Sequence, residues 1–533
     1  MPWNNWKQSR RDLFRAASIL AAVQAFGRRA LATPLELTAK LYQSIGVRPL
    51  INSRGTFTII TGSQTLPEVK KAMDEASRHF VQMDELMDGV GARLAEITGA
   101  EWGIVTAGCC AAISHCTCAA IVGNNPERMQ QLPDLAGLKN EVIIPSYSRN
   151  VYDHAVRMVG VKIVEVKDPS ELERAFSERT AMVYILGGPG DDGPLGTRVV
   201  AEVAKRHKVP VLVDAAAEIL TLKPNVHLER GATAVAYSGG KCIRGPQAAG
   251  LLLGEKEWLQ AAWLNSAPHH AFGRAMKAGK EEIMGMLAAV ETWVKRDHQA
   301  EWKDWEARLA HIAASAQKVA GVTAKITQPS ADLSNRSPRL TISWDGAKLG
   351  ITGAELAKTL LDTEPRIVVA GSTGSRPDAM GSTISIIPYQ MMPGEEKVVA
   401  GRIHALLSSP PAPPAPDSAP PGPAASLAGQ WDLHLDFGRG SAVHNLIFEQ
   451  DGPKLSGTHR GEFFSGDLTG SVGASAVRFR SSHRVHGTRL SYDFTARVDG
   501  DKMTGSVYLG EYGTVTFTGQ RHRYQQTGGR RTG

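Results

Sequence analysis

The residues best suited to covalent chemistry lie in "AYSGGKCIRGPQAAGLLLG", where Lys241 follows Gly239-Gly240 and precedes Gly245-Pro246. A solvated lysine needs no such bare backbone. An amine held there can attack a carbonyl carbon and later move a proton. Asp214 stands 27 residues earlier, at the end of the apolar run "VPVLVDAAAEI". Ligands of open α/β sheets gather outside the carboxyl ends of the strands, so an acid and a lysine at two nearby strand ends converge on one cleft. "GIVTAGCCAAI" supplies a third part, an apolar run that turns at Gly108 into a helix of small residues. Small side chains at a helix N-terminus let a phosphate approach the free N–H groups. Each part alone has a plainer reading: an ordinary tight turn at Gly108, a helix N-cap at Asp214, a solvated loop lysine at Lys241. Jointly they describe a site for pyridoxal 5'-phosphate (PLP). Lys241 is its Schiff-base lysine, Asp214 the partner of the pyridinium nitrogen, and the Gly108 turn (Ala107, Gly108, Cys109, Cys110) with Ser238 the phosphate cradle.

The elements that must position these groups follow from hydrophobic pattern. "EVIIPSY", "VKIVEV", "AMVYIL" and "VPVLVDA" are short runs rich in Val and Ile, separated by helix-period stretches such as "LGTRVVAEVAKRHK". That alternation predicts an α/β fold with a parallel sheet covered on both faces. A large cofactor domain is expected over residues 33–285 and a small α/β subdomain over 286–407, with strands "RLTISWD", "RIVVAG" and "STISIIP" and a last helix starting near Pro393. The Pro/Ala-rich stretch 408–426 reads as an extended linker. Residues 427–524 then alternate in period two with frequent Gly, which predicts a separate antiparallel β domain, a small barrel or roll, with no catalytic constellation of its own. Residues 525–533 read as a disordered tail.

The chain has 533 residues, 42% of them hydrophobic and 21% charged, the composition of a soluble globular protein. Its net charge of +7 is concentrated at the ends. Residues 1–32 hold six basic side chains and one acid, and four arginines follow Glu511 with no acid among them, so the body is close to neutral and offers no argument for nucleic acid. "SRRDLFR" (Ser9 to Arg15), a short apolar segment and Ala30-Leu31-Ala32 read as a twin-arginine (Tat) signal cleaved after Ala32. The expectation is a periplasmic or otherwise exported protein, without stable membrane insertion, that meets the Tat translocase during export. Four of the five cysteines fall between Cys109 and Cys118. Zinc sites usually set two ligand pairs apart by a longer loop, so these are read as small packing residues and no metal is expected.

"INSRGTFTIITGSQTLP", "LAEITGAEWGIVTAGCCAAI", "RNVYDHAVRMVG", "VDAAAEI", "YSGGKCIRGPQAAGLLLG" and "AMKAGKEEIMGMLAAVE" together resemble the PLP-dependent family of bacterial selenocysteine synthase (L-seryl-tRNA(Sec) selenium transferase) and D-glucosaminate-6-phosphate ammonia lyase, nearer to the lyase branch. The resemblance covers roughly residues 35–405. It implies the aspartate aminotransferase-type fold (fold type I), a homodimer or higher homo-oligomer, and a small-molecule amino substrate. It further implies that His154 stacks on the cofactor ring, that Gln247 contacts cofactor, and that Arg366, Arg244 and Arg54 serve the substrate. Cys109 and Cys110 depart from the small residues usual at the phosphate turn. The selenium transferase's tRNA-binding N-terminal domain has no counterpart here. The function expected is therefore an α,β-eliminating ammonia lyase acting on an amino acid or amino-sugar acid. Selenium transfer, transamination, racemisation and aldol cleavage are the alternatives the same apparatus could run, and a non-catalytic binding protein is the reading that the Asp214–Lys241 pair opposes.

Overall fold

Val-, Ile- and Leu-rich runs build a seven-stranded sheet from β1 (Trp102–Thr106), β2 (Glu141–Pro145), β3 (Lys162–Val166), β4 (Thr180–Leu186), β5 (Val211–Asp214), β6 (Ala234–Ser238) and β7 (Gly250–Gly254). The strand order is β1-β7-β6-β5-β4-β2-β3. The computed structural model describes residues 37–330, 332–374, 381–412 and 423–522. The expected signal at 1–32, the tail at 525–533 and the linker's middle, 413–422, lie outside them. Every residue of β1, β2 and β7 is buried, which is what a sheet covered on both faces requires. One strand departs from the expected parallel sheet, since β7 runs antiparallel to both β6 and β1. The physical reason is the connection: residues 239–249, which carry Lys241, are too few for the helical crossover that a parallel neighbour needs. The sheet is therefore mixed.

Helices on the sheet follow local signals. Thr197–Arg206 buries Val200, Ala201, Val203 and Ala204 along one face. Asp168 caps Pro169–Ala175 by accepting from Glu171 N at 2.8 Å. Two helices, Lys280–Lys295 and His298–Ala316, follow, with Asp297 capping the second through Ala300 N.

The chain divides into two compact units. One comprises described residues to Ile60, 297–329 and 337–412. Its sheet contains Thr323–Thr327, Arg339–Trp344, Gly371–Thr373 and Ser382–Ile386, while Ile51–Ser53 pairs in parallel with Ile367–Val369. A capping box between Thr352 and Glu355 starts the helix Gly353–Asp362. The last helix, Glu395–Ser408, begins two residues after Pro393 with Gly394 at its N-cap.

The other unit holds residues 61–296, 330–336 and the chain from 413 onward. Within it the C-terminal segment forms a closed eight-stranded antiparallel barrel with its own core. Its strands are β8 (Gly429–Asp436), β9 (Ser441–Asp451), β10 (Lys454–Arg460), β11 (Ser465–Val472), β12 (Ala476–Val485), β13 (Thr488–Asp499), β14 (Lys502–Tyr508) and β15 (Thr514–Arg521). The period-two alternation sends Trp431, Leu433 and Leu435 inward from β8, and closure of β15 onto β8 leaves no free edge. Among the described residues no helix is long and apolar enough to cross a membrane.

Candidate active site

Asp214 closes β5, and Ser238 closes β6; Gly108 follows β1. All three therefore stand at the carboxyl edge of the sheet, where the crevice of an α/β fold forms. Asp214 is buried. Its Oδ2 accepts the Tyr184 hydroxyl at 2.7 Å, and its Oδ1 accepts Ala216 N at 3.1 Å and the Cys109 thiol at 3.4 Å. Burial pushes the Asp214 carboxyl above its ordinary range, while the Tyr184, Ala216 and Cys109 donors and the Lys241 charge pull it back. Among the described residues no cation is hydrogen-bonded to it.

Lys241 is half-buried and, among the described residues, its Nζ has no hydrogen-bond or ion-pair partner. Its charge reaches Cys109, Cys110 and Asp214. The glycines before it are explained by packing within the loop. A Cβ on Gly239 would sit 2.7 Å from Pro246 O and 2.9 Å from Ala249 O, and one on Gly240 would sit 2.3 Å from Gln247 Oε1. The bare backbone thus folds against its own chain, and the lysine rides on a tightly closed turn. Gln247, expected at the cofactor, packs its amide against Gly240 and Gly62.

Gly108 has φ +87°, a left-handed value that L side chains rarely adopt, and a Cβ there would meet only Ala248 O at 3.9 Å. It begins the helix Cys109–Val122, whose first turn has no side-chain cap. Cys109 is buried and Cys110 exposed. Burial raises the thiol pKa of both, Asp214 raises it further, and Lys241 opposes the shift. Cys116 and Cys118 are buried packing residues, and no group of His, Cys, Asp or Glu among the described residues is placed to hold a metal ion.

His154 starts a short helix and is exposed. In the same turn the Tyr152 phenol is pushed above its ordinary range, by desolvation first and then by Cys110 and Asp214. Arg244 donates from Nε to Gln64 O at 3.0 Å. Arg54 and Arg366 belong to the other unit. Arg54 lies over the Phe57 ring at 4.3 Å, and Arg366 donates to Leu361 O at 2.7 Å and to Arg48 O at 3.0 Å.

Sequence reasoning missed three groups. Tyr184 sits within "AMVYIL" and reads there as one more apolar strand residue. Asn150 donates from Nδ2 to the Tyr184 hydroxyl at 3.3 Å and extends the chain Asn150–Tyr184–Asp214. Residues 333–335 bridge to the segment after β5, with Ile219 N donating to Leu333 O at 3.0 Å and Asn335 N to Ala217 O at 2.7 Å. Arg336 follows, half-buried, and among the described residues its guanidinium has no hydrogen-bond or ion-pair partner.

These residues fit PLP. Among the described residues the amine of Lys241 has no partner and the buried carboxylate of Asp214 has no bonded cation, and an uncapped helix N-terminus opens behind Gly108.

No protein-family model matches the chain. It is 30% identical over 383 residues to D-glucosaminate-6-phosphate ammonia lyase of Salmonella typhimurium, a match covering 69% of this chain and 98% of that protein. It is 28% identical over 386 residues to 5'-C-glycyluridine monooxygenase-decarboxylase of a Streptomyces species, covering 69% of this chain and 92% of that one. A solved structure of D-glucosaminate-6-phosphate ammonia-lyase superposes with a TM-score of 0.61 at 27% identity, covering 70% of this chain and 99% of that chain. Nearly a third of this chain therefore lies beyond what the lyase matches.

Proposed function

The chain belongs to the D-glucosaminate-6-phosphate ammonia lyase family of PLP enzymes, and from that premise we propose that it removes ammonia from an amino-sugar acid by α,β-elimination. The observation that carries the proposal is the Lys241 amine, without a partner among the described residues, near the buried, tyrosine-bonded Asp214 at one sheet edge. When bound, PLP withdraws the electrons released at the substrate's Cα. Lys241 would hold the cofactor, and its amine would serve as the base that takes the Cα proton. Asp214 would pair with the ring nitrogen as a carboxylate, and a cationic partner there would offset the burial that otherwise raises its pKa. Tyr184 and Cys109 orient that carboxylate through both of its oxygens. The net change is loss of the Cα proton and Cβ hydroxyl as water, then hydrolysis at the C–N bond to a 2-keto-3-deoxy acid and ammonia.

Arg336 takes the substrate's acid group in this reading, because it shares a unit with Lys241 and has no hydrogen-bond or ion-pair partner among the described residues, whereas Arg366 is bonded to two carbonyls. The exported location and the Tat translocase as a transient partner rest on residues 9–32. Exposed Phe80 and Val81 beside Leu86, Met284 and Leu287 support a homo-oligomer.

The test is direct. Protein saturated with PLP is incubated with D-glucosaminate, its 6-phosphate and other 2-amino sugar acids, and ammonia and 2-keto acid are measured together. Equimolar release from at least one is expected. No release from any, or amine transfer only in the presence of an added keto acid, would overturn the elimination reading.

A further inference from the structure

The barrel has no counterpart in the chemistry above, yet one of its ends touches the loop that carries Asn150. Strands β12 and β13 meet at residues 486–487, and β14 and β15 at 509–513. Because the strands run alternately up and down, both turns lie at the same end of the barrel.

Gly487 is where the contact is closest. A Cβ on it would lie 1.9 Å from the carbonyl oxygen of Asn150, 2.4 Å from its carbonyl carbon and 2.9 Å from its nitrogen. Its own backbone does not call for glycine, since the left-handed residue of this turn is His486, at φ +53°. The missing side chain is explained by the Asn150 backbone occupying its place. Beside it, Arg484 Nη2 donates to Arg149 O at 3.4 Å. At the second turn the charge of Glu511 reaches Tyr152.

The loop so contacted is part of the cofactor site. Asn150 Nδ2 donates to Ser148 O at 2.7 Å and to the Tyr184 hydroxyl at 3.3 Å, and Tyr184 donates to Asp214. Asn150 Oδ1 accepts Tyr152 N at 2.7 Å. Arg149 is also tied to Asp153 at 2.6 Å and Glu165 at 2.7 Å. The loop is thus held by an ion-pair network as well as by the barrel.

We infer that the C-terminal barrel is a positioning element of the active site, with Gly487 and Arg484 seating it on Arg149-Asn150 and so fixing the Asn150–Tyr184–Asp214 chain. The inference rests on the PLP reading of Asp214, but the seat itself is independent of cofactor. Nothing in it requires the barrel to touch substrate.

The experiment uses full-length Gly487→Leu and Arg484→Ala, with Asn150→Ala as comparator. Hydrogen exchange is measured across residues 146–153 and across the barrel strands without cofactor, and PLP affinity is measured by equilibrium titration. In Gly487→Leu, exchange at 149–152 should rise about tenfold while barrel amides stay protected. PLP should bind about fivefold more weakly, the scale of one ordinary hydrogen bond, and Asn150→Ala in the same chain should add little. Wild-type exchange at 149–152 together with wild-type PLP affinity, in a variant whose barrel is folded, overturns the inference. Should Gly487→Leu not fold, Arg484→Ala decides: increased exchange at 149–152 supports the seat, and unchanged exchange overturns it. Wild-type protein that takes up no PLP defeats the cofactor reading, and the exchange data still judge the seat.

Discussion

Tyr184 donates its hydroxyl to Asp214 Oδ2 at 2.7 Å, with both side chains buried. Burial and then the Asp214 charge drive the tyrosine's pKa well above its usual value, so the phenol stays protonated and remains a donor. The same bond pulls the Asp214 pKa down against its burial. Tyr184→Phe removes the donor without changing the ring. Asp214 then titrates at higher pH, so the acid limb of the activity profile should move up. The rate at neutral pH should fall about tenfold, from the ~1.5 kcal/mol typical of a hydrogen bond to a charged group. A profile superimposable on the wild type would show that the bond does not serve the carboxylate.

Lys241 is the group whose removal should be most costly. Lys241→Ala should lose about a thousandfold in ammonia release, the range for a missing acid–base group. It should also lose the mass increment that borohydride leaves on PLP-treated wild type. A variant still labelled at another lysine would move the covalent role away from position 241.

The legible part of the site is the part that strand ends mark. Lys241, Asp214 and Gly108 stand next to apolar runs, and runs of that kind identify sheet strands whose carboxyl ends form the crevice. What escaped was set by contacts distant in sequence. Tyr184 faces Asp214 only because β4 lies beside β5. Gly487 meets Asn150 across 337 residues, and no local pattern announces that. Arg366 and Arg336 look alike in the chain, and only the structure shows Arg366 donating to two carbonyls and Arg336 with no partner among the described residues. The glycines at 239 and 240 were visible, but their reason was not, because Pro246, Ala249 and Gln247 fill the space a Cβ would take. The antiparallel β7 was within reach: eleven residues between β6 and β7 leave no room for a crossover helix.

Export is tested by the paired arginines. With Arg10→Lys and Arg11→Lys, the protein should accumulate uncleaved in the cytoplasm while the wild type appears outside it, shortened after Ala32. Fractionation with mass spectrometry of the N-terminus reads both. Equal export of the double variant removes the twin-arginine reading.

Acid should weaken the barrel through three histidines buried at one end. His444 Nδ1 lies 2.9 Å from His459 Nε2, His459 Nδ1 lies 2.6 Å from Ser481 Oγ, and the His483 ring stacks on Phe464 at 4.0 Å. Burial, followed by the neighbouring imidazoles, lowers His444 to about 4 and His459 to about 3. Both values lie below the ~6.5 of an unfolded histidine, so the unfolded chain takes up protons first. Stability from these groups is therefore intact above about pH 6.5 and declines as pH falls toward 4, by up to roughly 1.4 kcal/mol per pH unit for each histidine. Pulse proteolysis of the full chain in urea, with barrel fragments identified by mass, should show the midpoint dropping between pH 7 and pH 5. His444→Gln with His459→Gln should flatten that drop, because neither amide titrates there. These histidines sit at the same end of the barrel as Gly487, since β9 begins, and β10 and β12 end, on that side. Acidification should consequently raise exchange at residues 149–152 in parallel with barrel loosening, and an acid-insensitive midpoint would show that the buried imidazoles carry no such penalty.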